Sequence, residues 1–219
     1  MLKINGKRLQ RSMEEMAKIG ATPGGGVNRL TLSDEDREAR DLFSRWAREA
    51  DLSINIDEMG NMFARREGED KDAPPLMAGS HLDSVPNGGR FDGSLGVLAA
   101  LEIIRSMNEQ DLATRRPIEI VNWTNEEGPR FPPSMLGSGV FAGAFKRDFA
   151  YEVRDSNGKR FVDELERISY RGEIPCRPRP FGGYLELHVE QGPALITEGT
   201  QIGIVEGIRG LTWLRITMK

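Results

Sequence analysis

Near the start of the chain, apolar residues recur at helical spacing. Leu9, Met13 and Met16 stand three or four apart, which predicts a helix over residues 6–19. A second helix is predicted in "TLSDEDREARDLFSRWAREA", where Leu42, Trp46 and Ala47 share one face. Ser33 is its expected N-cap. Asp34, Glu35 and Asp36 fill its first turn, where unpaired N–H groups favour acids. Asp36 occupies the place where a capping box prefers the longer Glu or Gln, so only a partial box is expected.

The pattern then changes period. "LSINIDEMGNMFARREG" alternates around a Gly-Asn turn and predicts a β-hairpin. "PPLMAGSHL" is a short apolar strand. "SLGVLAALEIIRSM" is apolar almost throughout at helical length, which predicts a helix buried against a sheet. "RPIEIVNWTNEEG" is the next strand. "GSGVFAGAF" is a short helix, residues 150–170 are polar and helical, and "GYLELHVEQGP" is another strand. "TQIGIVEGIRGLTWLRITMK" predicts two strands around Gly207 and Gly210. Strands alternating with helices imply an α/β fold with a mixed, partly parallel sheet flanked by helices. The glycine-rich "GATPGGGVNRL" has neither the Lys-Ser/Thr of a P-loop nor a preceding strand. It reads as a flexible connection near the rim of a site.

Composition narrows the class. The chain has 219 residues, 38% hydrophobic and 29% charged, which fits a globular fold. Its net charge is −4 with no Lys/Arg cluster, so no nucleic-acid partner is expected. The "RPRP" around Arg177 reads as a solvated loop. Cys176 is the one cysteine, which points to a reducing compartment, and it reads as an inert loop thiol. The N-terminus is too charged for a signal peptide, and no window approaches ~20 apolar residues. The expectation is a cytoplasmic location without a membrane partner.

Chemistry concentrates at three predicted strand ends. The first carries His81, Asp83 and, across a glycine-rich loop, Asp92. The second carries Glu126 and Glu127, and the third His188 and Glu190. Ligands of open α/β sheets bind beyond the carboxyl ends of strands, so these groups point at one place. Imidazole and carboxylate donors without cysteine suit Zn²⁺, Mn²⁺ or Co²⁺. The His-Leu-Asp step places Asp83 where its carboxylate is expected to hold the free ring nitrogen of His81. Of the adjacent glutamates, one is expected to bind metal while the other accepts a proton from water. Gly88, Gly89, Gly93 and Gly96 are expected to let backbone pass close to the ions.

"GSHLDSVPNGGRFDGSLGVLAALE", "VNWTNEEGPRFPPSMLGS", "LELHVEQGPAL" and "GIVEGIRGLTW" resemble the carbamoylase branch of the M20 metallopeptidase family. That branch contains N-carbamoyl-L-amino acid hydrolases, β-ureidopropionases and allantoate amidohydrolases. The resemblance implies a zinc-peptidase-like catalytic domain over residues 1–207 and the start of a smaller α+β lid and dimerisation domain at 208–219. It implies two divalent ions, with His81, Asp92 and His188 on one, and Asp92 as bridge with Glu127 on the other. Glu126 would be the general base and Asp83 the partner of His81. Gln191 and Ser138 fall in motifs near the substrate. The implied substrate is a small N-carbamoyl amino acid or ureide, and the full-length form would be a homodimer. Leu211 leans toward amino-acid carbamoylases, since allantoate-hydrolysing relatives tend to carry Gln there. His188 argues against the dipeptidases of the wider family, which usually place a carboxylate at that point. The family pattern also has a later His on the second ion and a longer chain. A fragment of a longer enzyme is therefore expected; a truncated product, a site completed by a partner chain, and an inactive assembly module are the alternatives.

Overall fold

The computed structural model describes residues 2–208, 210 and 218. Contacts divide the chain into two compact units, Met1–Val189 and Glu190–Lys219. The expected boundary at 207/208 borders residues outside the described set.

The first unit is a five-stranded mixed sheet with helices. In chain order it contains α1 (Gly6–Met16), α2 (Asp34–Glu49), β1 (Ser53–Ile56), β2 (Met62–Arg66), β3 (Leu76–His81), α3 (Ser94–Glu109), β4 (Ile118–Trp123), α4 (Leu136–Phe141), α5 (Arg147–Glu152), α6 (Phe161–Arg167) and β5 (Gly183–Leu185). The strand order is β1-β2-β4-β3-β5. The β1–β2 and β2–β4 pairs are antiparallel, whereas β3 runs parallel to both β4 and β5. Parallel neighbours need a long crossover, and α3 supplies it between β3 and β4.

Local chemistry accounts for most boundaries. Ser33 caps α2 by accepting from Asp36 N at 3.2 Å. The Asp36 carboxylate does not close the box onto Ser33. It accepts from Leu32 N at 2.8 Å and pairs with Arg40 Nε at 3.0 Å inside the core. Helix α1 ends at Met16, three residues earlier than its apolar spacing predicts, because the chain turns through Ala17–Gly20 with Gly20 at φ 75°. The helix expected over 150–170 is two short ones, α5 and α6, separated by a turn in which Asp155 Oδ1 accepts from Asn157 N and Lys159 N. The main core joins Phe43, Trp46, Met62, Phe63, Leu98, Leu101, Ile120 and Val121. One charged residue of α3 is buried: Glu102 accepts from Arg8 Nε at 2.7 Å and from Ser106 Oγ.

The last predicted strands need correction. β5 covers only Gly183–Leu185, where Leu185 partners Ala78 and the ladder stops. In the second unit, α7 (Ala194–Glu198) lies between the two segments predicted as strand, and residues 201–208, expected as strand, are irregular. Alternation alone makes no strand. Its N–H and C=O groups need a neighbouring ladder, and none pairs with 201–208 among the described residues. The rest of that expectation, residues 209–219, lies almost wholly outside the described residues. No helix among the described residues is long and apolar enough to cross a membrane.

Candidate metal centre

Parallel pairing of β3 with β4 makes His81 and Trp123 register partners, so both strands release their loops at the same edge. His81 is buried. Its Nδ1 lies 2.9 Å from the Asp83 carbonyl oxygen, which assigns the ring proton to Nδ1 and leaves the Nε2 lone pair facing the loops. Nε2 is 3.8 Å from Asp92 Oδ1 and 3.6 Å from Glu126 Oε2. His188, just beyond β5, repeats the arrangement. Its Nδ1 lies 2.9 Å from the Val189 carbonyl, and its Nε2 lies 3.2 Å from Asp92 Oδ1. The two imidazoles are 5.9 Å apart, centroid to centroid. Donor atoms of His81, Asp92 and His188 all lie within 4.8 Å of one another, as do those of His81, Glu126 and Glu127.

Close approach makes this possible. Gly93 stands at φ 61°, and a β-carbon there would lie 2.4 Å from His81 Cε1. The loop carrying Asp92 can therefore lie against the imidazole only with glycine at 93.

Asp83 acts differently from the expectation. Its Oδ1 is 3.8 Å from His81 Nδ1, and its backbone carbonyl holds the ring instead. Because β3 ends at His81, the bend at Leu82 turns the Asp83 carboxylate elsewhere. It accepts from Thr31 Oγ1 at 2.6 Å, Glu127 N at 3.2 Å and Glu126 N at 3.3 Å. The carboxylate thus sets the turn that presents the two glutamates.

The glycine-rich segment before α2 is anchored, not loose. Val27 N donates to Gly88 O at 2.9 Å, and Ser84 N donates to Arg29 O at 2.9 Å. Arg29 is wholly buried and donates to Leu82 O, Met16 O, Ile19 O and Ser94 Oγ. Its contacts bracket both the His81–Asp83 bend and the start of α3 after Asp92. Behind β4, Asn61 Oδ1 accepts from Thr124 N at 3.0 Å, while Asn61 Nδ2 donates to Asp57 Oδ2 and Gly137 O. The sequence reading missed Arg29, Thr31 and Asn61. An arginine inside an otherwise neutral glycine-rich stretch is the one visible cue.

The remaining candidates fall in different places. Ser138, on α4, lines with Glu126, Trp123, Phe141 and Tyr184 a cavity of about 490 Å³. Gln191 and Glu190 belong to the second unit, where Glu190 accepts from Ala194 N and Leu195 N at the start of α7. Cys176 is buried and its thiol is pushed up by burial, which fits an inert group. Arg177 is exposed, but the "RPRP" stretch is only half solvated, since Arg179 lies 4.8 Å over the Phe63 ring and pairs with Glu119.

Burial, helped by Asp92, Asp83 and Glu126, pushes the Glu127 carboxyl up to about 7 against the pull of His81. Burial also raises Glu126. The Asp92 hydrogen bond lifts His188 to about 9. For His81, burial is the largest single influence and lowers the value, but Asp83, Glu126 and Glu127 together raise it.

The model of peptidase family M20/M25/M40 matches residues 77–217. The chain belongs to this family. It is 51% identical over 216 residues to an N-carbamoyl-L-amino-acid amidohydrolase of Rhizobium meliloti, covering 99% of this chain and 52% of that one. It is 34% identical over 213 residues to allantoate deiminase 1 of Glycine max, covering 94% and 44%. The crystal structure of a hydantoinase/carbamoylase family amidase from Burkholderia multivorans superposes with TM-score 0.89 at 54% identity, over 90% of this chain and 48% of that chain. The chain thus spans about half the length of the relatives it matches.

An M20 chain implies divalent metal, and the residues present fit one. The cluster offers imidazole nitrogens and carboxylate oxygens and no thiolate. Glu127 Oε1 is buried without a hydrogen-bond partner, and crowding with other carboxylates disfavours its charge. A cation relieves both. His81 sets a limit, however: with Nδ1 committed to Asp83 O, its single Nε2 lone pair can serve one of the two donor groups at a time.

Proposed function

We propose that this chain carries the divalent-metal centre of an amidohydrolase that cleaves the ureido C–N bond of N-carbamoyl-L-amino acids. One observation supports it above the others: His81, Asp92 and His188 converge with Glu126 beside them, on a chain half-identical to an enzyme of that name. In this reading His81, Asp92 and His188 hold one ion, and Glu127, with Asp92 shared, offers a second position. Zn²⁺, Mn²⁺ and Co²⁺ all suit the donors. Such an ion supplies Lewis acidity, polarising a carbonyl and acidifying water.

The chain's own groups do the rest. Glu126 accepts a proton from the attacking water as the C–O bond forms at the carbamoyl carbon. It then returns that proton to the departing amino-acid nitrogen as the C–N bond breaks. The carbamic acid released decomposes to carbon dioxide and ammonia, so one water is consumed per ureido group. Burial raises the Glu126 carboxyl above the usual carboxylate range, which makes it a stronger proton acceptor than a solvated glutamate. Asp83 orients Glu126 through its backbone N–H.

The test is ammonia release by the full-length, metal-loaded protein from N-carbamoyl-L-methionine and from allantoate. Turnover of the carbamoyl amino acid is expected. Turnover of allantoate alone would replace the substrate assignment, and turnover of neither would support an inactive assembly module. The reading extends to a cytoplasmic homodimer with a lid domain beginning near residue 208, which sedimentation equilibrium of the full protein would check.

A further inference from the structure

His81, the two glutamates and His188 come from three different strands, and the strands are not equally held. β3 and β4 are paired over six residues, Leu76–His81 with Ile118–Trp123. β5 joins β3 over only three, and its ladder ends at Leu185, three residues before His188. A short edge strand gives little backbone support to the residues beyond its end.

Side chains take over where the ladder stops. Trp123 Nε1 donates to Tyr184 Oη at 3.0 Å. The Tyr184 hydroxyl donates to Glu186 Oε2 at 2.7 Å. Ser80 Oγ donates to Glu186 Oε1 at 2.5 Å. Three of the four members lie close in sequence to a site residue: Ser80 precedes His81, Trp123 stands three residues before Glu126, and Glu186 stands two before His188. On the other side, Leu187 packs its carbonyl against α3 where Gly96 has no β-carbon, since one there would lie 2.7 Å from that oxygen.

We propose that Glu186 is a positioning residue, and that the Ser80–Glu186–Tyr184–Trp123 chain of hydrogen bonds staples the three strand ends together and fixes where His188 stands relative to His81 and Asp92. This rests on the metal-centre reading above. One Glu186 oxygen accepts from Ser80 on β3 and the other from Tyr184 on β5, whose hydroxyl in turn accepts from Trp123 on β4, so the carboxylate ties the edge strand to β3 and, through Tyr184, to β4. Groups that orient metal ligands typically change affinity about 10- to 100-fold when removed.

The test titrates Co²⁺ into the full metal-free protein, with affinity read by competition against a chelating dye and ligand geometry by visible absorption. Glu186→Ala is expected to weaken Co²⁺ binding about 10- to 100-fold. It should also change the absorption envelope and lower kcat more than it raises KM, while the Tm of the metal-free protein moves by no more than about 2 °C. Glu186→Gln keeps one acceptor for Tyr184 and offers an N–H that Ser80 can accept, so it should recover most of the affinity. Tyr184→Phe should give an intermediate loss. Three outcomes overturn the proposal: wild-type affinity in Glu186→Ala, no recovery in Glu186→Gln, or an affinity loss that merely tracks a falling Tm. If the wild-type protein binds no Co²⁺, the metal-centre reading fails as well; if it binds and the variants match it, only this inference fails.

Discussion

The site has two flanks built on different principles. His81, Glu126 and Glu127 leave the long β3–β4 pair, and buried groups brace the loops beyond it: Asp83, Thr31, Arg29 and Asn61. His188 leaves a three-residue edge strand, with its side chain 33% exposed and hydrogen-bonded side chains standing in for the ladder. The first flank is preorganised by the core. The second depends on a few polar contacts that water can contest. Substitutions on the two flanks should therefore separate catalysis, stability and metal affinity.

The largest expected effect is chemical. Glu126→Gln should lower ammonia release about 10³-fold, within the range of a lost general base, while bound metal stays unchanged by elemental analysis. Retained activity would remove Glu126 from the proton path. Next comes the buried brace. Asp83→Ala strips the acceptor from Thr31 Oγ1 and two backbone N–H groups, and should destabilise the fold by about 3 kcal/mol in urea titration. A loss below about 1 kcal/mol would show that the first flank is no firmer than the second.

A smaller effect comes from Asp57, which sits under Asn61. Burial raises its carboxyl to about 6, against the pull of its Asn61 and Cys176 hydrogen bonds. The folded value exceeds the unfolded one, so the folded state binds the proton more tightly. Stability should rise as pH falls from about 6 toward 4, and the gain should total roughly 2 kcal/mol. Asp57→Asn should flatten that part of the profile, and an unchanged slope would assign it to other groups. The smallest effect sharpens the contrast. In metal-free protein, His81→Ala should cost about 2 kcal/mol as a buried truncation, whereas His188→Ala should change stability by less than about 0.5 kcal/mol. Equal losses would mean that both imidazoles are structural.

Much of this was legible in the chain because the relevant signals are local. The Ser33 cap, the α2 face and the apolar run of α3 depend on near neighbours, and the structure has each of them. Convergence of three strand ends came from the general geometry of α/β sheets. What escaped was non-local. Thr31 and Asp83 are 52 positions apart, and nothing in the local pattern announces their bond. The His-Leu-Asp step predicts a carboxylate grip on His81 only while extended geometry continues, and the bend after β3 breaks it. Apolar alternation through Leu185, Leu187 and Val189 predicts a longer β5 than exists, because ladder pairing stops at Leu185. The glycines of "GATPGGGVNRL" predict a loose connection, whereas one buried guanidinium pins it.

The missing β-carbon at Gly93 has a practical consequence. Ring and loop occupy one shared volume there, so neither can be redesigned alone. A graft of this loop onto another scaffold must carry residue 93 bare and its imidazole with it. Conversely, even alanine at 93 would force ring and loop apart by about 1 Å, making that position a built-in gauge of how much misplacement the centre tolerates.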